Sequence, residues 1–240
     1  MIEKEYLLYS HYKIKANDSS NDIVYRAAKK SYMDFCRRAT YQSRVPINLN
    51  RKYEEEIEIL LSEKIPSLLS LTYHENNQAI FDEEHLKICQ SIVNVYENAK
   101  GQMFGIAQKW LNLTLLNLVI IDTILDTNDW NIRNCRKYFH IPVDQYVIEA
   151  ATFRRIGKYK HGLYLKSAPL KHNEPEKYIM DWYSPEKTQP FEKWEYYEYI
   201  DFQKAIRSKL REPSFESQYS DPLDWGIHAY LEVSQSKIIY

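Results

Sequence analysis

The 240-residue chain has a hydrophobic fraction of 44% and a charged fraction of 27%, which is ordinary for a globular protein and argues against wholesale disorder. Only 5 glycines and 9 prolines are present, too few for an all-β protein with many tight turns or for a glycine-rich nucleotide cradle. The formal net charge of −1 excludes overall basicity as a sign of a nucleic-acid partner.

The first half of the chain is predicted to be mainly helical. Residues 1–20 are expected to form a short strand or an irregular arm, whose last four residues are polar and suited to capping a helix. Breaks are expected at Pro46 and Pro66. Apolar residues at helical spacing predict helices over 21–41, 51–61, 82–97 and 106–125. The last of these carries polar residues among its apolar ones, which indicates a buried helix rather than a bilayer span.

The second half is also predicted to be helical, with a basic loop or hairpin at 154–171 and a Trp/Tyr-rich segment after Pro175. Helices are expected over 131–138, 144–153, 197–210 and 223–233. The sequence therefore predicts an all-α protein with a small β arm or hairpin at most. We expect a single domain, 1–240, composed of two helical lobes at about 1–97 and 98–240.

Cysteine and histidine spacing predicts neither a metal site nor a cofactor. The three cysteines are scattered without a CxxC pair, and the seven histidines show no HxxxH or HExxH spacing. The N-terminal residues lack the basic-then-apolar layout of a signal peptide. We therefore expect a cytoplasmic protein with no membrane partner.

Basic residues are concentrated in two segments. Eight basic residues and one acid lie between Arg26 and Lys52, and six basic residues and no acid lie between 150 and 173. The second group is Arg154, Arg155, Lys158, Lys160, Lys166 and Lys171. Such segments predict local phosphate-binding surfaces on a chain whose total charge is near zero.

Lys109 and Asp144 are the candidate catalytic residues. Lys109 lies near the start of the most apolar predicted helix, where desolvation favours the neutral amine, and the neutral amine is the nucleophile. Asp144 follows a proline break at the start of the next long helix. Backbone N–H groups and the helix dipole would keep its carboxylate ionised there, as the stabilisation of a sugar cation requires.

This part of the chain, about 98–151, resembles the catalytic core of the helix-hairpin-helix DNA glycosylases. The resemblance is carried by a glycine-containing hairpin, by Gln108-Lys109 at the start of a long apolar helix, and by Ile141-Pro142-Val143-Asp144 before the next helix. It is most similar to the bifunctional 8-oxoguanine glycosylase/lyases of the archaeal branch. The hairpin departs from that family's usual Leu-Pro-Gly-x-Gly pattern.

The resemblance implies a base-excision glycosylase and lyase that acts on DNA. Lys109 would attack C1′ of the damaged nucleotide, expel the base and form an imine that permits strand cleavage. Asp144 would assist by electrostatics or proton transfer. Gly101 and Gly105 would belong to a hairpin whose backbone N–H groups hold a phosphate. Such an enzyme flips its target base into a pocket, for which the sequence identifies no residues.

Two alternatives remain open. Arg133 and His140 have the Arg-x(4–6)-His spacing of the HEPN ribonucleases, and this resemblance would imply RNA cleavage by paired histidine and arginine. The other alternative is a non-catalytic helical interaction or regulatory module. Its protein partner would bind the Trp/Tyr-rich C-terminal third, because aromatic residues are favoured at interfaces.

Overall fold

The computed structural model of the chain describes residues 2–71, 77–126, 131–152, 157–167, 182–183 and 190–237. The chain divides into two compact units, Met1–Phe139 and His140–Tyr240, which we call the N-terminal and C-terminal units and describe separately. The predicted all-α class is confirmed, because helices account for most of the described residues.

The N-terminal unit is a helical bundle. Its elements are α1 (Ile2–Tyr12), α2 (Ser20–Ser43), α3 (Ile47–Ser70), α4 (Asn77–Val95), α5 (Phe104–Leu125), the short α6 (Ile132–Cys135) and a 3-10 turn at Arg136–Tyr138. Helix α2 packs against α3 and α5, and α4 packs against the same two helices. Helix α5 is therefore the element around which much of the bundle is assembled, and 16 of its 22 residues are buried.

The capping cluster before α2 forms as the sequence predicts. Ser19 and Asp22 make a reciprocal capping box, in which the Asp22 N–H donates to Ser19 Oγ at 3.2 Å and the Ser19 N–H donates to Asp22 Oδ2 at 3.0 Å. This box satisfies two of the backbone donors that the first turn of a helix leaves without partners.

Two predictions about the first half were wrong. Residues 2–12 form helix α1 instead of a strand or irregular arm, because Leu8 and Tyr12 lie on one helical face and become buried. Helix α3 continues through Pro66, where a break was predicted. Burial of the flanking Ile65 and Leu68 outweighs the low helix propensity of proline at this position.

The described part of the C-terminal unit contains three longer helices and irregular segments. Its elements are α7 (Gln145–Thr152), β1 (Lys166–Ser167), β2 (Trp182–Tyr183), a 3-10 turn at Phe191–Lys193, α8 (Tyr196–Leu210) and α9 (Pro222–Ser236). The two short strands pair in parallel, and α9 packs against α7 and α8. Gly226 allows α9 to approach Ile141, since a Cβ atom there would lie 2.6 Å from Ile141 Cγ2.

The boundary between the units differs from the lobe boundary expected near residue 97. Helix α5 follows that point in the chain, yet it packs against α2 and α4. Its buried face therefore belongs to the core of the N-terminal unit, and the division falls after Phe139.

One buried carboxyl group at the α2–α3 interface is electrostatically strained. Glu58 is 1% exposed and its Oε1 has no hydrogen-bond partner among the described residues. Burial raises its pKa from 4.5 to about 7, although the Tyr25 hydroxyl and the Lys29 ammonium, 3.9 Å from Oε2, act in the opposite direction. The folded chain therefore retains a proton that the unfolded chain releases.

We predict that stability falls as pH rises from about 4.5 to about 7 and then levels off. Glu58→Gln removes this penalty and should raise the free energy of unfolding at pH 8 by about 3 kcal/mol, at about 1.36 kcal/mol for each pKa unit. At about pH 3 the variant should have little advantage, because Glu58 is then protonated in both states. Denaturant unfolding at the two pH values measures the difference.

Glu56→Gln is the matched control, since Glu56 is exposed on the same helix. It should change stability by less than about 0.5 kcal/mol at either pH. If both substitutions changed the free energy of unfolding at pH 8 equally, burial of the Glu58 carboxyl group would not be the cause of the lost stability.

Candidate functional site

Lys109 lies in the second turn of α5 and is 8% exposed. A lysine is rarely buried to this extent unless its amine has a partner or loses its proton. The sequence-based expectation of a buried lysine on an apolar helix is therefore confirmed. Its neighbour Gln108 belongs to a row of buried polar side chains between α4 and α5, which we call the polar seam.

The polar seam consists of Gln108 and Asn112 on α5 and His85 and Cys89 on α4, all 1% exposed or less. The Gly105 carbonyl can only accept, so Gln108 Nε2 donates to it at 2.9 Å. Gln108 Oε1 then accepts from Asn112 Nδ2 at 3.1 Å, and Asn112 Oδ1 accepts from His85 Nε2 at 2.8 Å. Because the Gly105 carbonyl can only accept, the donor and the acceptor of each of these three hydrogen bonds are determined.

This order places a proton on Nε2 of His85, whose Nδ1 faces Cys89 Sγ at 3.7 Å. Cysteine, histidine and asparagine in this sequence of contacts also form the triad of cysteine proteases. Here burial raises the pKa of the Cys89 thiol well above its ordinary value, and a thiol without thiolate character is a poor nucleophile. The polar seam is therefore a structural element that joins α4 to α5.

The predicted hairpin glycines have packing roles. A Cβ atom on Gly101 would lie 2.2 Å from the Gln42 carbonyl oxygen, so only glycine lets this turn approach the end of α2. The Lys100 N–H donates to the Ser43 carbonyl at 3.0 Å. Gly105 is buried within α5. The phosphate contact expected of these glycines stays a prediction, and the helix-hairpin-helix core is not confirmed.

Asp144 caps α7, as the sequence predicts. Its Oδ1 accepts from the backbone N–H groups of Tyr146 and Val147 at 2.9 and 3.0 Å, which satisfies two donors of the first helical turn. The extended chain before it is held by Gln203, whose side chain exchanges two hydrogen bonds with the Ile141 backbone at 3.1 and 2.8 Å. Lys109 belongs to the N-terminal unit and Asp144 to the C-terminal unit.

The basic segment 154–171 is only partly described. Arg154 and Arg155 lie outside the described residues. Lys158 Nζ lies 3.3 Å from Glu149 Oε1, so an acid partly balances its charge. Lys160 is exposed and is the stronger candidate of the two for a phosphate contact.

The alternative pair, Arg133 and His140, is divided between the two units. Arg133 Nη2 donates to Asp126 at 2.7 Å. His140 is 1% exposed, and its Nδ1 lies 2.6 Å from the Tyr199 hydroxyl. This position is typical of a core histidine, and it does not favour the accessible acid–base role that the HEPN alternative requires.

Several aromatic residues of the C-terminal third are in the core, although the sequence suggested a binding surface: they are Phe191, Trp194, Tyr199, Phe202 and Trp225. Trp194, Tyr199 and Trp225 are each 1% exposed or less, whereas Tyr197 is 64% exposed. Their apolar area stabilises the packing of α8 and α9. The side chain of Trp182 lies outside the described residues.

A second group of ionisable side chains lies on the C-terminal unit. The rings of His161 and His228 stack with centroids 5.0 Å apart, and His161 Nδ1 lies 2.7 Å from the Tyr219 hydroxyl. The Tyr219 ring lies 5.8 Å from His161 and 6.0 Å from His228. We call these three residues the histidine–tyrosine cluster.

Sequence reasoning missed this cluster. It places His161 in the basic segment but gives no reason to associate it with Tyr219 and His228, which lie 58 and 67 positions further along the chain. The one available signal is Asp224 and His228 at helical i,i+4 spacing, which is common by chance on a surface helix.

No group of three or more histidine, cysteine or acidic residues arranged to hold a metal ion occurs among the described residues. In the same part of the chain, one helix, Phe104–Leu125, is long and apolar enough to cross a membrane, and 78% of its apolar window is buried inside the protein. That burial is typical of a core helix.

Comparison with known proteins identifies no relative: no family model, no curated protein and no solved structure matches the chain. The glycosylase resemblance therefore rests on the hairpin glycines, Gln108-Lys109 and Ile141-Pro142-Val143-Asp144 alone.

We predict that the polar seam is required for stability. Asn112→Leu leaves buried groups of Gln108 and His85 without their partner and should lower the free energy of unfolding by about 2–4 kcal/mol. Asn94→Leu, at an exposed position of α4, should change it by less than about 0.5 kcal/mol. Urea titration of both variants measures the difference. If Asn112→Leu lowered the free energy of unfolding by less than about 0.5 kcal/mol, the polar seam would not stabilise the protein.

Proposed function

We propose that the chain is a DNA glycosylase/lyase-like protein in which the Lys109 amine forms a transient imine with a nucleotide sugar. The observation that carries the proposal is the burial of Lys109, at 8% exposure, on the most apolar helix of the N-terminal unit. Desolvation favours the neutral amine, and a neutral amine is the nucleophile that this reaction needs.

In the proposed reaction the Lys109 nitrogen forms a bond to C1′ and the bond between C1′ and the base breaks. The base leaves with one proton of the amine. The bond between C1′ and the ring oxygen then breaks, and that oxygen takes the second amine proton as the imine forms. At a site that has already lost its base, the amine condenses with the sugar aldehyde and releases water. The resemblance assigns Asp144 the role of the assisting carboxylate, and its two cap bonds, to the N–H groups of Tyr146 and Val147, hold that carboxylate in place.

Borohydride trapping tests this chemistry. Borohydride reduces an imine to a stable amine, so the protein should become covalently attached to duplex DNA that carries an abasic or an 8-oxoguanine site. Lys109→Met keeps most of the buried side-chain volume and should abolish the adduct. Lys100→Ala, which removes an exposed lysine just before α5, should leave it intact.

Two outcomes would refute the proposal. One is the absence of an adduct from the wild-type protein on both substrates, and the other is an adduct that persists in Lys109→Met. Asp144→Asn is measured separately and should slow adduct formation without changing the amount finally trapped.

Phosphate binding by the basic segments is part of the same proposal. Affinity for duplex DNA should fall as salt rises, because each neutralised phosphate releases counterions. Lys160→Ala should reduce the slope of log K against log salt by about 1. Lys87→Ala is the control, since Lys87 is paired with Glu83 and Glu84 on α4, outside both basic segments. A slope that Lys160→Ala leaves unchanged would remove Lys160 from the interface.

A non-catalytic interaction module is the second candidate. It is supported by α1, where Ile2, Tyr6 and Tyr9 recur at helical spacing and are 74%, 68% and 53% exposed. This surface lies on the N-terminal unit rather than in the aromatic C-terminal third. The module predicts no trapped adduct and no effect of Lys109→Met on partner binding.

A further inference from the structure

The histidine–tyrosine cluster combines two imidazoles and a phenol on one surface of the C-terminal unit. We propose that His161 and His228 are the general base and general acid of an RNA-cleaving site, in which the ribose 2′-hydroxyl attacks the adjacent phosphorus. Tyr219 is the positioning residue for His161. The proposal goes beyond the glycosylase/lyase function and does not depend on Lys109.

Hydrogen bonds to the backbone groups of His161 hold this residue in place. The Glu232 carboxylate accepts from the N–H groups of Lys160 and His161 at 2.6 and 2.9 Å, and Trp225 Nε1 donates to the His161 carbonyl at 2.9 Å. Three hydrogen bonds thus anchor a segment without regular secondary structure. Such support is what an acid–base group requires, because its reactive nitrogen must be held in place before substrate binds.

The two imidazoles have different electrostatic surroundings. Partial burial lowers the pKa of His161, nearby His228 and Lys160 lower it further, and only Glu232 opposes them. His228 is half-exposed, and its Nε2 lies 3.7 Å from Asp224 Oδ1. The stacked rings thus place a partly buried imidazole, held through its backbone, beside an accessible one. Two adjacent imidazoles can supply the proton acceptor and the proton donor of acid–base catalysis.

The chemistry of the cluster selects the substrate. An imidazole pair supplies a proton acceptor and a proton donor, and an RNA phosphodiester brings its own nucleophile in the 2′-hydroxyl. DNA lacks that hydroxyl. Lys160, exposed beside His161, provides positive charge for the phosphate. A ribonucleotide phosphodiester therefore matches the cluster better than a deoxyribonucleotide does.

The proposed step balances within the substrate and the two histidines. With Nδ1–H donated to the Tyr219 oxygen, His161 Nε2 carries the lone pair and takes the 2′-hydroxyl proton. The 2′ oxygen forms a bond to phosphorus while the bond from phosphorus to the 5′ oxygen breaks. His228 donates a proton to the departing 5′ oxygen. The products are a 2′,3′-cyclic phosphate and a free 5′-hydroxyl end.

The experiment uses the full chain and single-stranded RNA of mixed sequence, labelled at its 5′ end, with EDTA present. The wild type should release fragments that end in cyclic phosphate. His161→Gln and His228→Gln should each lower the rate at least about 100-fold, the lower end of the range for general acid–base catalysis. His11→Gln is the control, since His11 is exposed on α1 of the N-terminal unit, and it should cleave at the wild-type rate.

The pH profile separates catalysis from a structural role. The wild-type rate should rise as His161 loses its proton and fall as His228 loses its own, with Lys160, Asp224, Glu232 and Tyr219 as the neighbouring charged or titratable groups. His228→Gln should lose the falling limb. Tyr219→Phe should lower kcat with little change in KM, and it should move the rising limb.

Three results would overturn the proposal. These are no cleavage of any RNA by the wild type, equal cleavage by the double variant His161→Gln/His228→Gln, and cleavage that continues at a 2′-deoxy position. Far-ultraviolet circular dichroism checks that each variant folds, and the bonds of Glu232 to backbone groups, which the variants keep, support that expectation. Lys109→Met should cleave RNA normally, so failure of the imine reaction and failure of this site are told apart.

Discussion

The polar groups buried on α5 constrain the whole N-terminal unit. An apolar helix that carries Gln108, Asn112 and Asn117 in its buried faces is stable only if each amide finds a partner, because an unsatisfied buried group costs about 1–3 kcal/mol. The hydrogen-bond partners of these amides lie on different neighbouring helices. Asn112 bonds to α4, whereas Asn117 donates to Ser31 on α2 and accepts from Tyr12 on α1, at 2.8 and 3.2 Å. These bonds determine which neighbour lies against which face.

In the C-terminal unit, backbone groups of the irregular segments also need hydrogen-bond partners. Backbone groups outside helices still need partners when they are buried, and side chains of α8 and α9 supply them. Gln203 holds Ile141, and Glu232 holds Lys160 and His161. The same bonds that satisfy the backbone also fix the ends of these segments, which positions Asp144 at the start of α7 and His161 beside His228.

The chain thus carries two groups suited to chemistry, and they differ in kind. Lys109 is a buried amine on a helix, and its reactivity would come from desolvation. The histidine–tyrosine cluster lies at the surface, and its reactivity would come from two adjacent imidazoles that can accept and donate a proton. Cys89 faces a histidine, as a catalytic cysteine does, but it is fully buried in the core. Residue type alone therefore does not identify a site, because burial favours the neutral form of both groups, and that form is the nucleophile for an amine but a poor nucleophile for a thiol.

The sequence by itself determined the helical class, the position of α5 and the cap at Asp144, because periodicity, proline breaks and capping residues act within a few positions of the chain. It failed at α1 and Pro66, where burial against distant helices outweighs local propensity. Only the tertiary structure decided that Gly101 packs on Gln42, that His140 is buried against Tyr199, and that His161 meets Tyr219 and His228. Each of these contacts joins residues about 60 positions apart, and no local pattern encodes a distance of that kind.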